Sequence, residues 1–330
     1  MSPRELDEDD IRVKRGRSTR PRSKQRPDYS TATTGLVVTV DRGRITCALE
    51  PDPDIRVVAV KARELGRKSV AVGDRVGLVG DLSGHPDVLA RLVRIDPRET
   101  ELRRTADDTD PYERIIVSNV DQMGIVTALA DPPPRIGLID RCLVAAFESG
   151  VSPLLVLTKC DLGDPSDLLR EYRDLDVAAV AVQAGGDLDK LREQLADRVT
   201  VLVGHSGVGK STLVNALIPS ADRATGQVND VTGRGRHTSS SAQAIPLAGG
   251  GWIIDTPGVR SFGLAHVDRA RVVGAFADLA GGMENCPRAC SHDEADCALD
   301  QWCATGHASA DRLASLRRIL RALDRAPNDY

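Results

Sequence analysis

The stretch from Thr200 to Leu217, TVLVGHSGVGKSTLVNAL, constrains the fold more than any other part of the chain. An apolar, β-branched run leads into GxxxxGKS, and a helix-forming run follows. Gly204, Gly207 and Gly209 let the backbone turn so that consecutive N–H groups face one point, a geometry that suits phosphate oxygens. The expected cradle comprises Gly204, His205, Ser206, Gly207, Val208 and Gly209, with Lys210, Ser211 and Thr212 opening the helix. Lys210 brings a positive charge to the β- and γ-phosphates. Ser211 offers a hydroxyl to Mg²⁺, and the helix turns its positive dipole end toward the phosphates. A strand–loop–helix unit of this kind implies a parallel sheet covered by helices on both faces.

Two further segments complete a nucleotide site. WIIDTPG ends an apolar strand in Asp255, placed to hold Mg²⁺ through water, and Gly258 offers an N–H to the γ-phosphate. PLLVLTKCD ends another strand in Thr158, Lys159, Cys160 and Asp161. The Asp161 carboxylate can accept from both N1–H and the exocyclic amine of guanine, whereas adenine would leave it unpaired. The Lys159 stem packs along the base. Thr158 stands where such loops usually carry Asn and keeps an oxygen to bridge toward the phosphate loop. Gln183-Ala184 follows the next strand, where a second base-contacting loop is expected. The order is unusual: the base-reading segment precedes the phosphate loop, and DTPG follows it.

Alternating strands and helices run from GIVTALA through RIGLIDRCLVAAFES, PLLVLTK, SDLLREYRDL, VAAVAV and DLDKLREQLA to the phosphate loop. Before them lie five β-like runs between Gly35 and Ile95, which suit a small barrel such as the OB-fold, an architecture that often binds oligonucleotides. Pro97 to Arg114, rich in Asp and Arg, reads as a linker. The chain is 330 residues, 41% apolar and only 3% aromatic, so it divides into two or three domains with aliphatic cores. Its formal net charge of −4 hides a basic arm. From Arg12 to Arg26 the sequence RVKRGRSTRPRSKQR contains no carboxylate; its composition predicts a disordered tail suited to RNA phosphates. No run is long and apolar enough for a membrane span and the N-terminus is polar, so no membrane partner and a cytoplasmic location are expected. No dimerisation surface is evident, and a monomer is expected.

Four of the seven cysteines crowd near the C-terminus. Cys286, Cys290, His292 and Cys297 supply three thiolates and an imidazole, a closed tetrahedral set for structural Zn²⁺, with Cys303 and His307 as spare candidates. A helix, RLASLRRILRAL, ends the pattern. The expected division is residues 1–30 as basic tail, 31–100 as barrel, 101–265 as nucleotide domain with permuted motif order, and 266–330 as helical zinc domain.

A β-barrel, then TKCD before GHSGVGKS before DTPG, then a Cys-Cys-His-Cys segment, together resemble the RsgA (YjeQ) family of circularly permuted GTPases. NVDQMGIV and LIDRCLVA also look like segments of that family. The resemblance implies a GTP hydrolase, weak alone and stimulated by the small (30S) ribosomal subunit, whose barrel and zinc domain grip 16S rRNA during late subunit maturation. It departs from the family pattern in places. Residues 237–240 read His-Thr-Ser-Ser where HTTT is common, so Thr238 or Ser239 is expected at Mg²⁺. Val259 follows DTPG where many GTPases carry a water-orienting Gln, which leaves His237, beside Lys210, as the catalytic candidate. Two rival readings are a P-loop ATPase or small-molecule kinase, and a zinc-containing nucleic-acid binder whose nucleotide site acts only as a switch. GDP and GTP are the expected ligands of the leading one.

Overall fold

Alternating burial along five short strands closes them into a barrel. In the computed structural model, residues 29–50, 52–66, 69–105, 113–218, 242–256 and 267–323 are described. The basic arm, His237, Thr238, Ser239, Gly258 and Val259 lie outside the described residues. Strands β1 (Thr33–Asp41), β2 (Arg44–Leu49), β3 (Arg56–Lys61), β4 (Arg75–Val79) and β5 (Ala90–Ile95) pair in the order β1-β2-β3-β5-β4, and β4 returns to β1. Arg42 and Gly43 both take positive φ, 43° and 85°, the combination a two-residue hairpin requires when its turn must match strand twist. Val37, Ile45, Cys47, Val57, Ala59, Val76, Leu78 and Leu92 fill the interior, an aliphatic core in place of an aromatic one.

The segment that reads as a linker forms a β-hairpin instead. Strand β6 (Glu101–Thr105) pairs antiparallel with β7 (Glu113–Ser118). Leu102 and Val117, each 1% exposed, give the hairpin an apolar foot that the surrounding Asp and Arg residues mask in the sequence. Its base is fastened to the barrel through Asp74, whose buried carboxylate accepts from Arg98 Nε (2.6 Å), Arg98 Nη2 (2.9 Å), Ser118 Oγ (2.7 Å) and Ala71 N (2.8 Å). A buried charge this fully satisfied holds its neighbours in one arrangement.

The second unit alternates strand and helix: β8 (Gln122–Ala128), α1 (Ile136–Ser149), β9 (Ser152–Thr158), α2 (Ser166–Tyr172), β10 (Ala178–Ala181), α3 (Asp189–Leu195), β11 (Val199–Val203), α4 (Lys210–Leu217), β12 (Gln243–Pro246) and β13 (Trp252–Asp255). The sheet order is β10-β9-β8-β11-β13-β12, parallel except for β12. Every residue of β8 is buried, as a strand covered on both faces should be. Strand β11, which carries the phosphate loop, lies near the middle, with β8 on one side and β13 on the other. At the β12 edge the sheet continues into the barrel, where Thr39 of β1 pairs with Gln243.

The C-terminal part comprises α5 (Arg269–Gly274), α6 (Ala277–Ala280), a 3-10 turn, α7 (Ala298–Ala304) and α8 (Ala310–Arg321). Ser309 caps α8 by accepting from Arg312 N at 3.1 Å. Helix α8 buries Leu313, Leu316, Ile319 and Leu320 in the same core as Ile139 and Leu143 of α1. Across that contact Arg318 donates to the buried carboxylate of Asp140, which also accepts from Tyr172 Oη at 3.0 Å. No helix among the described residues is long and apolar enough to cross a membrane.

Candidate functional site

The phosphate loop leaves β11 and enters α4 in one tight turn. Gly204 has φ 150°, and a Cβ added there would stand 2.2 Å from the Val126 carbonyl oxygen of β8, so only glycine fits. Gly209, at φ 94°, caps α4 from the left-handed region, and Lys210 is the first helical residue. Lys210 Nζ donates to the carbonyls of Gly204 (2.6 Å) and His205 (2.9 Å), which arches the side chain over the loop. Burial holds this ammonium below the ordinary lysine range, opposed by the nearby Asp255 carboxylate. Burial likewise pushes Asp255 up, opposed by Lys210. A half-buried cation facing a half-buried carboxylate is poised to receive a charged ligand.

Ser211 and Thr212 are exposed on the first turn of α4, and Asp255 ends β13 beside β11. Thr256 is buried, and its hydroxyl donates to the Leu202 carbonyl at 3.0 Å, so the start of the DTPG segment is fixed to the strand that carries the phosphate loop. Of the expected Mg²⁺ residues, Ser211 therefore opens α4, directly after the phosphate loop, and Asp255 ends the strand next to β11. The donor set, a hydroxyl and a carboxylate beside an ammonium, fits a hard cation carrying its own waters and phosphate oxygens.

The TKCD segment stands beside that loop. Thr158 is 6% exposed, and its hydroxyl donates to the Val208 carbonyl at 2.6 Å, a direct tie between the two loops. Lys159, at φ 56°, turns back and its ammonium donates to the Asp131 carbonyl. Cys160 is partly buried, with its thiol donating to the Leu157 carbonyl at 3.2 Å, and Asp161 is exposed at the loop tip. Between this loop and α4 opens a cavity of about 300 Å³, walled by Thr158, Lys159, Gln183, Ala184, Gly209 and Thr212. Gln183 and Ala184, which follow β10, line this cavity. Gly185, Gly186, Leu188, Arg192, Leu213 and Ala216 also line the cavity, and the sequence reading missed them. Their only local signal was the Gly185-Gly186 pair, which reads as any turn.

In the C-terminal part Cys286, Cys290, His292 and Cys297 bring their ligand atoms within 4.8 Å of one another. Cys286 Sγ lies 3.6 Å from His292 Nδ1 and 3.9 Å from Cys297 Sγ, and Cys297 Sγ lies 4.0 Å from His292 Nδ1. A tetrahedral ion with bonds of ~2.3 Å to sulfur and ~2.0 Å to nitrogen needs separations of about 3.5–3.8 Å. The four side chains fit such an ion. Cys290 donates to Glu294 at 2.9 Å, and burial together with that bond pushes its thiol up to about 12. Cys303 and His307 serve elsewhere: the Cys303 thiol faces the Ser309 carbonyl at 3.7 Å, and the His307 ring stacks on Trp302 at 3.9 Å. Helix α8 clamps the cluster, with Arg317 donating to the His292 carbonyl (2.7 Å) and to both Asp300 oxygens (2.8 and 2.7 Å).

Comparison with known proteins is consistent with this geometry. The family model described as RsgA GTPase matches residues 95–265. The "Small ribosomal subunit biogenesis GTPase RsgA" of Ectopseudomonas mendocina is 40% identical over 265 residues, covering 77% of this chain and 75% of that protein. The protein of the same name from Chlorobaculum parvum is 34% identical over 305 residues, covering 89% and 96%. Among solved structures, YjeQ from Thermotoga maritima superimposes with a TM-score of 0.61 at 25% identity, over 89% of this chain and 99% of that one.

Proposed function

Since the chain belongs to the RsgA GTPase family and is a GTP-hydrolysing enzyme, we propose that it acts on the small ribosomal subunit and assists its late maturation, with 16S rRNA as the surface it grips. The name shared by its relatives supports the ribosomal partner. The observation that carries the nucleotide reading is the bond from Thr158 to Val208 beside the 300 Å³ cavity, which ties a base-reading loop to a phosphate loop. In this reading Asp161 accepts from guanine and Lys159 packs along the base. The amides of Gly204 to Thr212 and the Lys210 ammonium neutralise the phosphates. Gly258 meets the γ-phosphate, and His237 orients the attacking water that Val259 cannot.

Ser211, Asp255 and Thr238 would hold Mg²⁺, which supplies charge neutralisation at the β- and γ-phosphates when bound. Cys286, Cys290, His292 and Cys297 would hold Zn²⁺, which supplies a structural cross-link and no open position for chemistry. The segment after Asp255 runs directly into α5, so nucleotide state would be relayed through the chain to the metal domain. The protein would work in the cytoplasm as a monomer, slowly alone and faster on the subunit.

GTP hydrolysis by the purified protein, with and without small ribosomal subunits, tests this, with ATP and large subunits as controls. Strong stimulation by the small subunit alone is expected. Hydrolysis of GTP that no subunit accelerates would remove the partner and leave the nucleotide chemistry, whereas turnover of ATP as fast as GTP would overturn the guanine assignment.

A further inference from the structure

A large cleft lies outside the nucleotide site. It measures about 490 Å³ and opens between the barrel and the nucleotide-binding sheet. Its walls carry five carboxylates, those of Glu50, Asp96, Glu99, Asp121 and Asp197, against the two guanidinium groups of Arg75 and Arg198. Three of the carboxylates already have partners: Glu50 faces Arg75 at 3.6 Å, Asp96 accepts from Arg94, and Asp121 accepts from Val199 N at 2.8 Å. Those of Glu99 and Asp197 are exposed and have no partner among the described residues. Trp252 forms part of the wall, and its ring already takes the Arg56 guanidinium at 5.3 Å. A cleft of this sign repels phosphates and attracts cationic side chains.

A cationic segment is tethered at its rim. The Tyr29 carbonyl, on the first described residue, accepts from Arg94 Nη1 at 2.8 Å, and the same guanidinium donates to Asp96 of the cleft wall. Arg12 to Arg26, with no carboxylate, therefore joins the barrel one arginine side chain away from the acidic wall. At roughly 3.4 Å per extended residue, the chain from Tyr29 back to Lys24 already spans ~17 Å. Tethering also replaces bulk concentration by a high effective one, which favours a weak charge-based contact. We propose that this cleft is the docking site of the chain's own basic arm, residues 12–26, with Glu99 and Asp197 as its principal anchors. Docked there, the arm bridges barrel and sheet and is withheld from the phosphates of RNA.

The test uses the full chain. Zero-length carbodiimide coupling joins a lysine amine to a carboxylate in direct contact, and the arm carries Lys14 and Lys24. In an equimolar mixture of isotopically light and heavy protein, Lys14 and Lys24 are expected to link to Glu99, Asp197, Glu50 or Asp96 within one chain. A second measurement does not depend on carboxylate reactivity. Trypsin should cleave within residues 12–26 about fivefold faster in the Glu99→Gln/Asp197→Asn protein than in the parent, the worth of two exposed ion pairs. Links scattered over carboxylates of the whole surface, together with equal cleavage rates, would overturn the proposal. So would links formed only between light and heavy chains, which would give the arm to a second copy, or protection of the arm that appears only when RNA is added.

Discussion

Replacing Thr158 by Val keeps the side-chain shape and removes one hydroxyl. That hydroxyl donates to the Val208 carbonyl at 2.6 Å, and Thr158 and Val208 are both buried, 6% and 4% exposed. An orphaned buried carbonyl costs about 1–3 kcal/mol. The bond joins two buried residues of the fold itself, so part of the penalty appears as lost stability of the protein. The remainder falls on nucleotide affinity, because the phosphate loop must hold its shape while its amides turn to the phosphates. If the whole penalty fell on binding, GDP affinity would drop about 5- to 150-fold, at 1.4 kcal/mol per decade. Thr158→Val should therefore show both a lower unfolding midpoint and a faster release of a fluorescent GDP analogue, with Thr158→Ser close to the parent. Release within twofold of the parent, with an unchanged midpoint, would show that the tie between the loops contributes nothing.

Gly204→Ala places a methyl carbon 2.2 Å from the Val126 carbonyl at a φ that only glycine adopts freely, and should destabilise by about 2–4 kcal/mol and abolish GTP binding, read by thermal unfolding and nucleotide titration. Cys297→Ser should lower bound zinc from about one equivalent toward none, read by elemental analysis. Arg318→Met leaves the Asp140 carboxylate, 1% exposed, without its cation and should cost about 3–5 kcal/mol at neutral pH. Burial raises Asp140 above the ordinary carboxylate range, and Arg318 opposes that rise, so losing the guanidinium moves the titration higher still. The Arg318→Met deficit should accordingly be small in acid and grow as pH rises through the Asp140 titration, measured by urea unfolding across pH. A deficit that shrinks with rising pH would contradict this.

Much of this architecture was legible because each piece is local. The five barrel strands announce themselves by alternation and by the Asp41-Arg42-Gly43 turn, and the phosphate loop by glycines whose φ no other residue tolerates. The β6–β7 hairpin was not legible, since Leu102 and Val117 are single apolar residues in a charged run and their burial depends on Asp74 far away in sequence. Strand β12, QAIP, is too short for any period to show. The cavity beside Thr158 takes four of its thirteen wall residues from α3 and α4, and only the fold brings Arg192 to Ala216. The pairing of Arg318 with Asp140 spans 178 positions, and many other Arg–Asp pairs read equally well along the chain.

The junction of β1 with β12 has a consequence for anyone who divides the protein. A sheet has two margins, and here one ends in β10, four residues of which three are alanine, too short and too bare to recruit another chain. The other would be β12, and β1 covers it at Thr39. Cutting the polypeptide before residue 100 to obtain the enzyme alone would strip that cover and leave an unpaired strand facing solvent. Such a fragment would tend to self-associate even with its nucleotide chemistry intact. The barrel is thus also a guard on the sheet's margin, a duty that falls to it whatever it binds.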